Sequence, residues 1–373
     1  MKLRLILTCI AVIAIAHISA TTLPDSLIRR YAAEMLIIGF RGDSLETDPD
    51  ALHYLKDIRP GGIILFDIDL TSGGGLGTRN IRSREQVAHL TAEMKKAADY
   101  PLLIAVDQEG GLVQRLKPRY GYESLPSALH LGTEINNPDS TLHYAEVMAG
   151  QLREAGVNMN LAPELDIHRS DCPVIGKLDR AYSSSPDSVA LHSGITIRTL
   201  ADKGIVSVGK HFPGHGSAVS DSHYGLTDVT STWNEEELIP FKNLIDSGDL
   251  KAIMTAHIFN RNIDEELPAT LSKKILTGLL REKLGFDGVI ITDDMYMKGI
   301  IDNYSIEQAI IMAINAGADM MIMGNNINTG YESDRPEKII GIIANAVKDG
   351  KIEESRIIEA HNRIHKLQQS VGF

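Results

Sequence analysis

The sequence predicts a single α/β domain, a (β/α)8 TIM-type barrel, on three observations. Eight short apolar runs recur along the chain, helical stretches separate them, and the runs end in charged or titratable residues. The runs are "EMLIIGF", "GGIILFDID", "PLLIAVDQEGG", "GVNMNLAPELD", "GIVSVGKHFPG", "KAIMTAHIF", "GVIITDDM" and "ADMMIMGNN". They are continuous in Ile, Val, Leu and Met rather than alternating, as parallel strands buried on both faces require. Amphipathic stretches such as "REQVAHLTAEMKKAAD", "TLHYAEVMAGQLREAG" and "SVALHSGITIRTLADKG" read as the intervening helices. Repeated strand–helix alternation means a parallel sheet, and eight units favour a closed barrel over a doubly wound open sheet. The 373 residues exceed most single cores, but barrels reach this size as one domain.

The first twenty residues differ from the rest. "MKLRLILTCIAVIAIAHISA" places Lys2 and Arg4 before an apolar run and ends in the small pair Ser19-Ala20, the layout of a secretory signal peptide. The run of about a dozen residues falls short of the roughly 20 that span a bilayer. The expected division is therefore a signal at 1–20 and a barrel at 21–373, exported to a periplasmic or extracellular location without integral membrane association. Cys9 sits early for a lipoprotein cysteine, and lipid anchoring stays open. Losing residues 1–20 removes two cations and no acid, so the formal charge of −12 becomes −14. An acidic chain with no basic run is a poor nucleic-acid partner. Cys172 is then alone, which excludes an intramolecular disulfide and reads as a small packed residue.

Charged groups gather where the runs end. Asp107 follows "LLIAV", Glu164 and Asp166 follow "MNLAP", Lys210 and His211 follow "VSVG", His257 follows "IMTA", and Asp293 follows "VIIT". The carboxyl ends of barrel strands ring one face, where active sites are built. One or two such residues could simply cap helices; five strand ends carrying them point to a site.

The stretch "KHFPGHG", followed by "SAVSDSHYGL", admits two chemistries. His211, His215, Asp221, His223 and His257 are metal-ligand types. However, Pro213 and Gly214 forbid the helix that would bring His211 and His215 together, and no His-x-His pair opens the first runs. Acid–base work is the other reading. If the loop turns at Asp221-Ser222-His223, the carboxylate accepts a hydrogen bond from the imidazole, fixes its tautomer and raises its pKa. Gly214, Gly216 and Gly225 would let this loop move. Asp293 sits where an apolar strand reaches the rim, with Asp294 turned away. An ionised carboxylate facing a proton donor is what acetal cleavage needs.

With these residues assembled, the sequence resembles glycoside hydrolase family 3, in its β-N-acetylglucosaminidase branch. The motifs "DQEGGLVQRL", "NLAPELDI", "PVIGKLDRAYSSSP", "KHFPGHG", "DSHYGL" and "ITDDM" occur in family order across residues 25–365. The resemblance implies retaining hydrolysis of terminal β-linked N-acetylglucosamine, with no metal and no organic cofactor. It implies Asp293 as nucleophile, and His223 as acid/base oriented by Asp221. Sugar contacts fall to Asp107, Arg115, Arg180, Lys210 and His211, while His215 shapes the loop. A second catalytic domain is not expected. Two features depart from the family. Leu112 stands where arginine often follows "EGG", and a Gly-rich insertion at 71–78 reads as a flexible lip or as inert. Alternatives are a phosphorylase using the same site, a β-glucosidase of the same family, a zinc hydrolase, and a sugar-binding protein without turnover.

Overall fold

The computed structural model describes residues 23–221, 225–327 and 330–371. Eight parallel strands close into a barrel: β1 Leu36–Gly39, β2 Gly62–Ile64, β3 Leu103–Val106, β4 Met159–Asn160, β5 Val206–Phe212, β6 Ala252–Thr255, β7 Val289–Thr292 and β8 Met320–Met323. Each pairs with its neighbours in chain order, and β8 returns to β1 with Met321 opposite Leu36 and Met323 opposite Ile38. All eight apolar runs carry a strand, because strands ringed by helices are buried on both faces. No second globular unit occurs among the described residues, and no helix there is long and apolar enough to cross a membrane. The expected signal at 1–20 lies outside the described residues.

The helical stretches form as their caps dictate. The first is α1 Asp25–Glu34, and α2 Arg84–Ala97 starts at Ser83, whose side chain accepts from the Gln86 amide. Proline at the first helical turn opens α3 Pro138–Glu154 and α4 Pro186–Ala201, capped by Asn137 and Ser185. The outer ring continues through α5 Ile239–Asp246, the π-helix α6 Lys274–Lys283, α7 Ile306–Ala316, α8 Arg335–Lys348 and α9 Glu354–Gln369. Ser305 and Gln308 close a capping box on α7. At the amino ends of β7 and β8, buried Asp319 accepts from Arg281 and Arg356 and pairs with Arg363, tying α6 and α9 to the barrel floor.

One boundary differs from expectation. Lys210 and His211 lie inside β5 rather than beyond it. Lys210 bridges Glu164, and Phe212 still pairs with Thr255 after a register shift that follows Gly209. Such an irregularity re-aims side chains within a strand.

Candidate active site

Each functional side chain is placed by a strand end. Asp107 leaves β3 and is followed by a hairpin pairing Gln108–Gly110 with Val113–Gln114. The buried Gln108 amide oxygen accepts from the backbone of Arg115 and Leu116, both at 3.0 Å, so Arg115 is brought back beside Asp107. The segment after β4 carries Glu164 and Asp166 alongside Lys210 and His211.

These groups form one charged wall. Lys210 Nζ lies 3.0 Å from Asp107 and 2.7 Å from Glu109. Arg180 grips Glu109 with two hydrogen bonds, at 2.9 and 2.8 Å, and reaches Glu164 at 2.5 Å. His211 Nδ1 lies 2.9 Å from Asp166 and 3.3 Å from Glu164. Burial pushes the Asp107 carboxyl up, but Lys210 and Arg115 outweigh it and hold the group below the ordinary range. Burial likewise opposes the charge on Lys210, which Glu109 and Asp107 more than restore, so its pKa rises. His211 is driven up to about 10, because Glu164 and Asp166 overcome its desolvation. It is a fixed cation at neutral pH.

Asp293 and Asp294 follow β7 and both line the cavity, so the expectation that Asp294 turns away is corrected: the two acids differ in their partners. The Asp294 carboxylate accepts from the amides of Tyr296 at 3.0 Å and Gly324 at 3.1 Å. Its own amide donates to Asp293 Oδ1 at 2.7 Å. His257, a metal-ligand candidate in sequence, instead contacts the Thr270 hydroxyl at 2.8 Å and the Asp294 carbonyl at 3.0 Å.

The loop after β5 is anchored at its base rather than hinged there, which corrects the mobility expected of its first glycines. Gly214 has φ +116°, and a Cβ on it would lie 2.5 Å from Glu237 Cβ. A Cβ on Gly216 would lie 2.0 Å from the Ile167 carbonyl oxygen. Both glycines therefore permit close packing. The His215 amide donates to Asp166 at 2.6 Å, and its ring meets the His211 ring edge-on. Burial and the nearby His211 charge push its pKa down to about 3. Asp221 lines the cavity, whereas His223 lies outside the described residues.

The cavity measures about 630 Å³. Asp107, Arg115, Arg180, Lys210, His211, Asp221 and Asp293 all line it, so the described residues singled out for chemistry and sugar contact converge on one space. Apolar side chains line it as well, among them Phe66, Ile68, Leu70, Met297, Ile301 and Ile327, interspersed with Asp67, Lys298 and Asn326. The 71–78 insertion is tied down, since Asp69 caps the turn Leu70–Ser72 and pairs with Arg41 at 3.0 Å. Cys172 is buried with its thiol pKa raised, as a packed residue should be. Glu164, Asp166 and His211 each bring a ligand-type atom within 4.8 Å of the others. Those atoms are already matched to one another and to Arg180. Sequence reasoning missed Glu109, which bridges Arg180 and Lys210, and the buried Glu237 beneath the loop. Glu109 stood inside "DQEGG" but was not a strand-end residue; Glu237 carries no local signal.

A carboxylate at a barrel rim, facing a charged wall that suits hydroxyl recognition, defines a glycoside-hydrolase barrel. The profile of the glycosyl hydrolase family 3 N terminal domain matches residues 29–367, and the chain belongs to that family. A β-hexosaminidase of Tolumonas auensis is 36% identical over 285 residues, covering 75% of this chain and 80% of that one. Another, from Nitrosomonas eutropha, is 38% identical over 305 residues, covering 80% and 82%. A family 3 β-N-acetylglucosaminidase from a Paenibacillus species superimposes with a TM-score of 0.82 at 33% identity, over 92% of this chain. This chain spans 62% of that larger one.

Proposed function

We propose that this β-N-acetylhexosaminidase releases terminal β-linked N-acetylglucosamine with retention, through a covalent glycosyl-enzyme on Asp293. The observation that carries the reading is the placement of Asp293 after β7, in the same cavity as the Asp107–Lys210–His211 wall. The sugar ring sits in the cavity with its hydroxyls against Asp107, Lys210, Arg180 and His211, carboxylate accepting and cations donating. His223, protonated and held by Asp221, gives its proton to the glycosidic oxygen as the C1–O bond breaks. The Asp293 carboxylate bonds to C1. Neutral His223 then takes a proton from water, whose oxygen attacks C1 and frees Asp293. The natural glycan class is peptidoglycan fragments or chitooligosaccharides, and residues 1–20 direct export.

The test is a comparison of leaving groups. His223→Ala is expected to lower kcat/KM on an N-acetylglucosaminyl disaccharide by about 100-fold or more, but on an activated aryl glycoside by less than about tenfold. Equal losses on both would remove the acid role. Adding inorganic phosphate separates hydrolysis from phosphorolysis: the expected product remains the free sugar, and a sugar 1-phosphate would replace this reading with a phosphorylase.

A further inference from the structure

Asp294 has no step in the reaction above, yet it is buried and each of its polar atoms is engaged. Its two carboxylate oxygens accept from the amides of Tyr296 and Gly324, which joins the loops following β7 and β8. Its carbonyl lies 3.0 Å from His257 Nε2, and its amide donates to Asp293 Oδ1 at 2.7 Å. A carbonyl can only accept, so Nε2 carries a hydrogen, while Nδ1 lies 2.8 Å from the Thr270 hydroxyl, which itself donates to the Ala256 carbonyl at 2.9 Å. That hydroxyl is also 2.8 Å from the Thr255 hydroxyl at the end of β6. The chain of contacts therefore runs from β6 through the His257 imidazole, contacted on both ring nitrogens, to the backbone that grips Asp293.

We propose that Asp294 and His257 are positioning residues for the nucleophile, fixing the rotation of the Asp293 carboxylate through the Asp294 amide. The inference rests on Asp293 being the nucleophile. Three contacts lock the residue whose fourth contact orients the attacking group. A carboxylate free to turn about Cβ–Cγ would spend most of its time misaimed, and a displacement of about 1 Å can cost about 100-fold in rate. In this scheme the sugar hydroxyls are held by Asp107, Lys210, Arg180 and His211. Asp294, though it lines the cavity, commits its carboxylate oxygens to the Tyr296 and Gly324 amides, so the effect falls on turnover rather than on binding.

The experiment compares His257→Leu, His257→Gln and Asp294→Asn with the parent enzyme, reading kcat, KM and thermal midpoint on an aryl β-N-acetylglucosaminide. His257→Leu removes the donor to the Asp294 carbonyl and is expected to lower kcat about 10- to 100-fold, with KM within about twofold. His257→Gln returns an N–H near the Nε2 position and is expected to recover most of that loss. Asp294→Asn sets an amide N–H against one of two backbone donors and is expected to lower kcat about tenfold or more. Equal kcat losses in the Gln and Leu variants would overturn the proposal in favour of simple packing. So would a folded Asp294→Asn enzyme whose kcat stays within about twofold of the parent, a result that remains readable if His257→Leu fails to fold. Asp293→Asn is the separate control: full activity there would sink the nucleophile reading itself, whereas an inactive Asp293→Asn beside unaffected Asp294 and His257 variants would sink only the positioning role.

Discussion

His211 Nδ1 and Asp166 Oδ2 lie 2.9 Å apart in the barrel wall, with Glu164 on the same nitrogen at 3.3 Å. This pairing keeps His211 charged near neutral pH, unlike the histidine proposed to shuttle protons. Its folded pKa of about 10 exceeds the ordinary 6.5, so its stabilising contribution is complete below about pH 6.5 and is lost as pH rises towards 10. Unfolding free energy followed from pH 7 to 10 should therefore decline, and His211→Gln should flatten that decline. An unchanged slope in the variant would show that His211 is not charged in the fold.

Glu237 sets a second, lower window. Its side chain is buried beneath the loop, where Ser217 donates to one oxygen, and burial, reinforced by Asp166, pushes its pKa up to about 7. The folded state then binds more protons than the unfolded state between about pH 4.5 and 7, so this group makes stability fall as pH rises through that range. The shift corresponds to about 3 kcal/mol. Glu237→Gln should remove most of that slope and leave the variant relatively more stable above pH 7. A variant with the parent's pH dependence in denaturant titrations would refute the assignment.

Lys210 is a charge that cannot be deleted cheaply. It is 2% exposed and stands between Asp107 and Glu109. Lys210→Met leaves Asp107 with Arg115 at 3.6 Å and Glu109 with Arg180, removing the cation they share. Breaking a buried pair in this way costs about 3–5 kcal/mol. The variant should lose that stability and should also raise KM for the glycoside, as calorimetry and steady-state kinetics would register. A variant with parental stability and KM would show that the ammonium neither supports the wall nor meets the sugar.

Export is tested at the amino terminus. Protein recovered from its native host should begin at Thr21, by intact mass and terminal sequencing. A product still carrying Met1 or Lys2 would contradict the signal-peptide reading.

The barrel was legible because helices on every side force each strand into a continuous apolar run, from "LIIG" in β1 to "MMIM" in β8. The cavity-lining Asp107, Lys210, His211 and Asp293 were legible because a barrel collects strand ends on one face. Sequence could not show that Lys210 and His211 lie inside β5, since the register shift after Gly209 depends on pairing with β6. Nor could it turn His257 from ligand type into a support for Asp294, or give Gly214 and Gly216 their packing partners, because Thr270, Asp294, Glu237 and Ile167 are distant along the chain. Glu109 escaped notice for the same reason: its meaning comes from Arg180 and Lys210.

The most direct measurement is covalent trapping. The enzyme is treated with a slow fluorinated N-acetylglucosaminyl donor, its intact mass is recorded, and the labelled peptide is sequenced by tandem mass spectrometry. The expected result is one added sugar on the peptide "GVIITDDM", carried by Asp293. A sugar on Asp294 or another residue, or no adduct together with an α-anomer as the first product, would contradict the account.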